Sequence, residues 1–120
     1  MATFRMDRLN KEFLRLIAEL ISSSMKDDTA REAILTHVDC SRDLAHAKVY
    51  FTLLDESRLA EVTKALAGIK GALRGRLGKA MHIRRIPELH FVFDESEKRA
   101  RAMDEFLDRV KEADRAKSEG

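Results

Sequence analysis

Seven cations and no acid lie between Val62 and Pro87: Lys64, Lys70, Arg74, Arg76, Lys79, Arg84 and Arg85. Both signs are mixed nearly everywhere else in the chain. Clustered Lys and Arg bind phosphates effectively because each neutralised phosphate releases counterions, so the chemistry offered here is recognition of an anionic polymer rather than bond-making. Arg74 is the strongest single candidate, since its planar guanidinium can engage phosphate bidentately. Four glycines interrupt the same stretch and create two GxxG segments, Gly68-Ile69-Lys70-Gly71 and Gly75-Arg76-Leu77-Gly78. In either, backbone N–H groups and helix dipoles could meet a nucleic-acid backbone. Arg5, Arg8, Lys11 and Arg15 near the N-terminus extend the positive surface if their helix packs alongside.

No second constellation supports catalysis. His37 and Cys40 are close in sequence, but two side chains do not complete a zinc site, and no third group orients them as a nucleophile and its base. A buried thiol and an ordinary histidine are the simpler reading. A small hydrolase built around Cys40 would need a reactive thiol. Glu88 and Asp94 have no base, nucleophile or metal cluster beside them, so capping and charge pairing account for them. His46, His82 and His90 are scattered and show no pattern. No catalytic residue, metal or cofactor is expected. Tyr50 could stack on a base, whereas Phe51, Phe91 and Phe93 share the inward parity of their strands and read as core. Binding would then rest on phosphates and RNA shape more than on base readout.

The totals bound the class of protein. The 120 residues, 44% hydrophobic, 37% charged and 6% aromatic, fit one domain with a small aliphatic core. One cysteine excludes an internal disulfide, and no apolar run approaches the roughly 20 residues that cross a bilayer. A reducing cytoplasm, without membrane attachment, is the expected compartment. The net charge of +2 is modest, but residues 94–120 hold nine acids against seven bases, so the positive excess comes from the middle of the chain and the first helix.

The elements that must position the cations follow from periodicity. Met6, Leu9, Phe13, Leu16, Ile17 and Leu20 recur at helical spacing from Arg5 to about Ser24. Residues 33–41 form a short β-branched strand. The turn Ser41-Arg42-Asp43 leads to Ala47, Val49, Phe51 and Leu53 alternating with Lys48, Tyr50 and Thr52, which predicts an antiparallel hairpin with one half-buried face. Asp55 or Ser57 caps a helix from Arg58, with Leu59, Val62, Ala65, Leu66 and Ile69 buried. Gly68 and Gly71 should break it. A second helix resumes with Ala72, Leu73 and Leu77 and ends on Gly78. Pro87 precedes a third strand, Glu88 to Phe93, and Ala100, Met103, Phe106, Leu107, Val110 and Ala113 predict a final amphipathic helix, fraying after Ala113. The expectation is an α+β fold in the order α-β-β-α-(kink)-α-β, with an additional C-terminal helix.

That order, with glycines between two helices that follow a hairpin and precede a third strand, is the order of the type II KH fold. Longer patterns narrow the likeness: Arg5-Met6-Asp7-Arg8-Leu9, Ser41-Arg42-Asp43-Leu44 followed by Ala47-Lys48-Val49-Tyr50, Gly71-x-x-Arg74-x-x-Leu77-Gly78-Lys79, and Arg84-x-x-Pro87-Glu88-Leu89-x-Phe91-x-x-Asp94. From Arg5 to Asp94 the chain resembles the ribosome-binding factor A family. The resemblance implies a KH type II-like ribosome-binding domain over residues 1–95, followed by a C-terminal helix and frayed tail over 96–120. It implies a non-enzymatic assembly factor that binds the immature small ribosomal subunit and its rRNA during late maturation and 16S rRNA processing. It also implies a link to cold adaptation, and release that needs a competitor or an assembly GTPase. A monomer is expected. The RNA-binding residues would be Arg5, Arg8, Lys11, Lys70, Arg74, Arg76, Lys79, Arg84 and Arg85. In the family a kink with an Ala-x-Gly pattern replaces the GxxG loop. Here that kink falls at Ile69-Lys70-Gly71, with Ile69 in place of the usual alanine and Gly68 restoring a formal GxxG, so an open loop and a tight kink both stay open for Gly68, Ile69, Lys70 and Gly71. The alternative function is a general KH-type RNA-binding or protein-interaction module not tied to the ribosome, docking a partner through its C-terminal helix.

Overall fold

Helix α1 spans Ala2–Ser23 and places Phe13, Ile17 and Ile21 in the core, with Met6, Leu9, Leu14, Leu16 and Leu20 packed around them. The computed structural model of the chain describes residues 2–83, 85–95 and 105–111. At the end of α1, the Ser22 and Ser23 hydroxyls donate back to the Glu19 carbonyl at 3.0 and 2.6 Å, and the Leu20 carbonyl accepts the Ser24 and Met25 N–H groups. A 3-10 turn at Ala30–Glu32 follows, where the Asp27 carboxylate accepts the Ala30 N–H at 3.0 Å.

Strand β1, Ile34–Cys40, pairs antiparallel with β2, His46–Thr52. The register shifts between Leu35 and His37, so that Thr36 is an extra residue on β1. This bulge has a packing reason: it lets both Leu35 and Val38, three positions apart, face the core, which strict alternation forbids. In the hairpin turn Leu44 takes a left-handed conformation, φ 58°, while the Asp43 carboxylate accepts from the Ser41 hydroxyl and the Ala45 N–H. Those hydrogen bonds, the hydroxyl's first, hold the Asp43 carboxyl below the usual range.

Helix α2, Leu59–Met81, is the long crossover that allows β3, Glu88–Phe93, to run parallel to β2. It is approached through a 3-10 turn, Glu56–Arg58, capped by Asp55, whose carboxylate accepts the Ser57 N–H. Sheet order is β1-β2-β3, with α1 and α2 on one face. Val38, Cys40, Ala47, Val49, Phe51 and Leu89 meet Phe13, Ile17, Val62, Leu66, Leu73 and Leu77 there. Phe91 and Phe93 point toward the core but remain half-buried, and Phe93 meets Phe51 edge to face at 5.9 Å between ring centres. The α+β order is as expected.

The break is not. Residues 58–78 were expected as two helices meeting at Gly68–Gly71, but α2 is one helix through all four glycines, and none has a positive φ. Both GxxG segments are helical turns, not loops. The energetic reason is the stripe Val62, Leu66, Leu73 and Leu77, which stays in phase across the glycines and is fully buried. Each such side chain contributes about 1.5–3 kcal/mol on burial, against roughly 1 kcal/mol lost per helical glycine. The cap also moves: His82, not Gly78, takes the left-handed position at φ 53°, and its N–H donates to the Gly78 carbonyl at 3.1 Å. Of the final helix, residues 105–111 are helical, and the rest of residues 96–120 lies outside the described residues.

A Cβ built at Gly71 or Gly75 would meet nothing within 4 Å, whereas at Gly78 it would lie 3.2 Å from Ile86 Cγ1. Gly71→Ala and Gly75→Ala should therefore each raise stability by up to about 1 kcal/mol, or a few degrees in Tm by thermal unfolding. A fall in Tm at Gly71→Ala would show a non-helical backbone there.

Candidate nucleic-acid interface

Because α2 turns 100° per residue and buries one stripe, the residues opposite that stripe are set by arithmetic. Lys64, Gly68, Gly71, Gly75 and Lys79 recur at steps of four, three, four and four and share the outward face. All five are exposed. The middle of this face carries no side chain and its ends carry ammonium groups, a surface that a phosphate backbone could approach closely. Lys64 belongs to the basic run but was absent from the expected binding set. The signal that finds it is helical phase, legible only if the helix is taken as unbroken.

Arg74, the favoured candidate, and Arg76 are engaged elsewhere. Arg74 donates from Nε to the Pro87 carbonyl at 3.2 Å and from Nη2 to the Ile86 carbonyl at 2.8 Å. Its fork thus clasps the connection between α2 and β3. Arg76 donates from Nη1 to the Ser24 carbonyl at 2.6 Å, joining α2 to the end of α1. Lys70 is half-buried, Lys79 and Arg85 are exposed, and Arg84 lies outside the described residues. On α1, Arg5, Arg8 and Lys11 are exposed, while Arg15 is held by Glu12 at 2.7 Å and Glu19 at 3.3 Å. Lys11 borders a shallow cleft with Asp7, Asn10, Leu14, His37 and Val38, on the side of α1 that faces β1. The α1 cations therefore do not all present one face.

The other candidates separate in the same way. Cys40 points into the core, and its backbone N–H donates to Asn10 Oδ1 at 2.9 Å. Burial, reinforced by the Asp39 carboxylate, pushes the thiol up to about 11. His37 is on the opposite face, its ring 5.7 Å from that of Tyr50, so the two residues form no pair. Asp94 accepts from Thr36 Oγ1 at 2.6 Å, and its N–H donates to the Phe51 carbonyl, fastening the end of β3 to the sheet. His46 and His90, scattered in sequence, are brought side by side.

A family model described as "Ribosome-binding factor A" matches residues 5–107. The chain belongs to the ribosome-binding factor A family. The match continues past Asp94, where the sequence resemblance was expected to stop, into helical segment 105–111. The ribosome-binding factor A of Thioalkalivibrio sulfidiphilus is 38% identical over 113 residues, covering 93% of this chain and 88% of that one. The crystal structure of ribosome-binding factor A from Thermus thermophilus superimposes with a TM-score of 0.66 at 23% identity, over 76% of this chain and 97% of the other. A homology model of the Thermus thermophilus factor, fitted into the cryo-EM map of a 30S complex, superimposes with a TM-score of 0.59 at 24% identity, over 72% and 91%. The last two confirm the fold.

Two measurements test these assignments. Arg74→Ala should lower unfolding free energy by about 1–3 kcal/mol in a denaturant titration, through loss of charge-assisted hydrogen bonds. Arg74→Lys should restore little of it, because an ammonium cannot reproduce the fork. Against iodoacetamide at neutral pH, Cys40 in the folded protein should react about 100-fold more slowly than a free thiol, the ratio set by its smaller thiolate fraction. Reaction at the free-thiol rate would reopen the nucleophile reading.

Proposed function

We propose that the chain is a ribosome-assembly factor that binds the immature small subunit through its rRNA. Family membership over residues 5–107 carries this reading, and the related factor fitted into a 30S map supports the choice of subunit. The outward face of α2 supplies the contact surface. Lys64 and Lys79 would each neutralise a phosphate, Lys70 and Arg85 add charge at its margins, and the glycines between admit the RNA backbone close to the helix axis. Arg74 and Arg76 would act mainly by holding α2 against β3 and α1, with any N–H left over directed at phosphate. Arg5, Arg8, Lys11 and Arg84 complete the proposed set. Recognition would be by shape and charge, since the aromatic rings are largely committed to packing.

The mechanism is positional. Occupying rRNA phosphates would hold or exclude one arrangement of the RNA during late maturation and 16S rRNA processing, without a chemical step. A factor of this kind matters most in the cold, where misarranged RNA rearranges slowly. Release would require a competing component such as an assembly GTPase. The factor would act as a cytoplasmic monomer, with residues 1–95 as the ribosome-binding domain.

One observation favours a second, protein-docking role for residues 96–120. In helical segment 105–111, Phe106, Leu107 and Val110 are 58%, 47% and 41% exposed. Truncation after residue 95 separates the two: RNA binding should survive, and any protein contact made by this segment should be lost.

The decisive experiment is co-sedimentation with purified immature small subunits at 50 to 200 mM salt. Wild-type binding should weaken steeply with salt. Lys64→Ala, Lys70→Ala and Lys79→Ala should each flatten the log–log slope by about 0.7–0.9 while leaving Tm unchanged. Binding indifferent to salt and to the triple substitution would overturn the site. Absence of binding to the subunits would overturn the function.

A further inference from the structure

Parallel pairing sets His46 of β2 opposite Glu88 of β3, with His90 two residues further along. All three side chains stand on the open face of the sheet, away from the helices. His46 Nδ1 lies 2.9 Å from His90 Nε2 and 3.9 Å from Glu88 Oε2, and one donor atom from each residue lies within 4.8 Å of the other two. We propose that His46, Glu88 and His90 form a binding site for a divalent transition-metal ion of the zinc class, with water completing the coordination.

The geometry and the donor set both point to this. Zinc bonds of about 2.0–2.1 Å in a tetrahedron require donor atoms about 3.3–3.4 Å apart. The 2.9 and 3.9 Å separations bracket that value, so small side-chain rotations at these exposed and half-buried positions bring the donors onto an ion. Two imidazoles and one carboxylate suit zinc or its neighbours in the first transition row; magnesium and calcium prefer oxygen donors alone. At 2.9 Å one imidazole donates and the other accepts; when the donor ring carries its proton on the other nitrogen instead, both facing nitrogens present lone pairs that a metal ion can accept.

The ligands stand on a fixed frame. The His46 N–H donates to Ser41 Oγ at 3.0 Å, and the Ser41 N–H donates to the His46 carbonyl at 2.8 Å. The Glu88 N–H donates to the Ala45 carbonyl at 2.9 Å, locking the starts of the two strands together beside the site. Strand-borne ligands keep their spacing better than loop-borne ones. Among the described residues, the charged groups nearby include Asp43, which interacts with His46, Lys48, which is opposite His90 in the register, and Asp39, which is opposite Lys48. The two carboxylates offset the lysine. Cys40 is adjacent in the sheet but faces the core, so it adds no ligand.

The site is independent of the RNA-binding reading, and its test is separate. The full chain, free of any affinity tag, is titrated with Zn2+ by calorimetry, and with Co2+ while following visible absorption. One ion per chain should bind. His46→Ala, His90→Ala and Glu88→Gln should each weaken binding by about tenfold or more, because even an outer-shell partner of a metal site is worth about 10–100-fold. His37→Ala and His82→Ala should leave affinity unchanged. Histidine NMR signals give a second readout that needs no variant: Zn2+ should move the ring resonances of His46 and His90 and leave those of His37 and His82 in place. Affinity should also fall as pH drops through the imidazole range, since ligation requires unprotonated nitrogen. No saturable binding, equal affinity in His46→Ala and His90→Ala, or equal loss in His37→Ala would overturn the site and leave a histidine hydrogen bond.

Discussion

The fold depends on one constraint, the burial of Val62, Leu66, Leu73 and Leu77 in a single stripe along α2. Because β2 and β3 are parallel, the chain must return across the length of the sheet between them, and α2 is that return. Its apolar stripe is the surface on which α1 and the sheet close. Interrupting the helix would throw Leu73 and Leu77 out of phase with Val62 and Leu66 and expose part of the core, so the glycines are carried as helix at a tolerable cost. The same phase condition turns Lys64, the glycines and Lys79 outward together. The candidate interface is thus a by-product of how the core is built.

That dependence marks what could be read from the sequence. The first helix, the hairpin and the third strand were legible because each repeats its apolar residues at its own period, and Glu88–Phe93 was found at its observed bounds. The break at Gly68–Gly71 was misread because a local propensity was weighed without the burial that overrides it. Helix α2 was legible only through Leu66 and Leu73, seven residues apart and in phase across the glycines. The bulge at Thr36 left a trace in the three-residue spacing of Leu35 and Val38, which strict alternation does not allow.

The site was legible in charge but not in role. An acid-free run of cations is visible in any listing of the residues. Whether a given arginine faces RNA or clasps backbone depends on contacts between distant segments. Arg74 and Arg76 are spoken for by the carbonyls of Ile86, Pro87 and Ser24, and carbonyls leave no signature in side-chain sequence. Lys64 and Lys79, each with a single head group on a flexible stem, are left to face solvent. Arg74 and Arg76 thus serve the frame, while Arg5, Arg8 and Arg85 stay exposed as Lys64 and Lys79 do. His46 and His90 were illegible for a related reason: they are 44 positions apart and meet only through the parallel register.

The bulge on β1 has a consequence for the edge of the sheet. An outer strand with evenly spaced, unpaired N–H and C=O groups is a template for another chain, and three-stranded sheets have little else to shield it. The extra residue at Thr36 interrupts that spacing midway along the edge, and the Thr36 hydroxyl is drawn back onto Asp94. A foreign strand could match the ladder on one side of the bulge or the other, but not on both. A device that lets two side chains reach the core thus also guards the sheet against runaway extension.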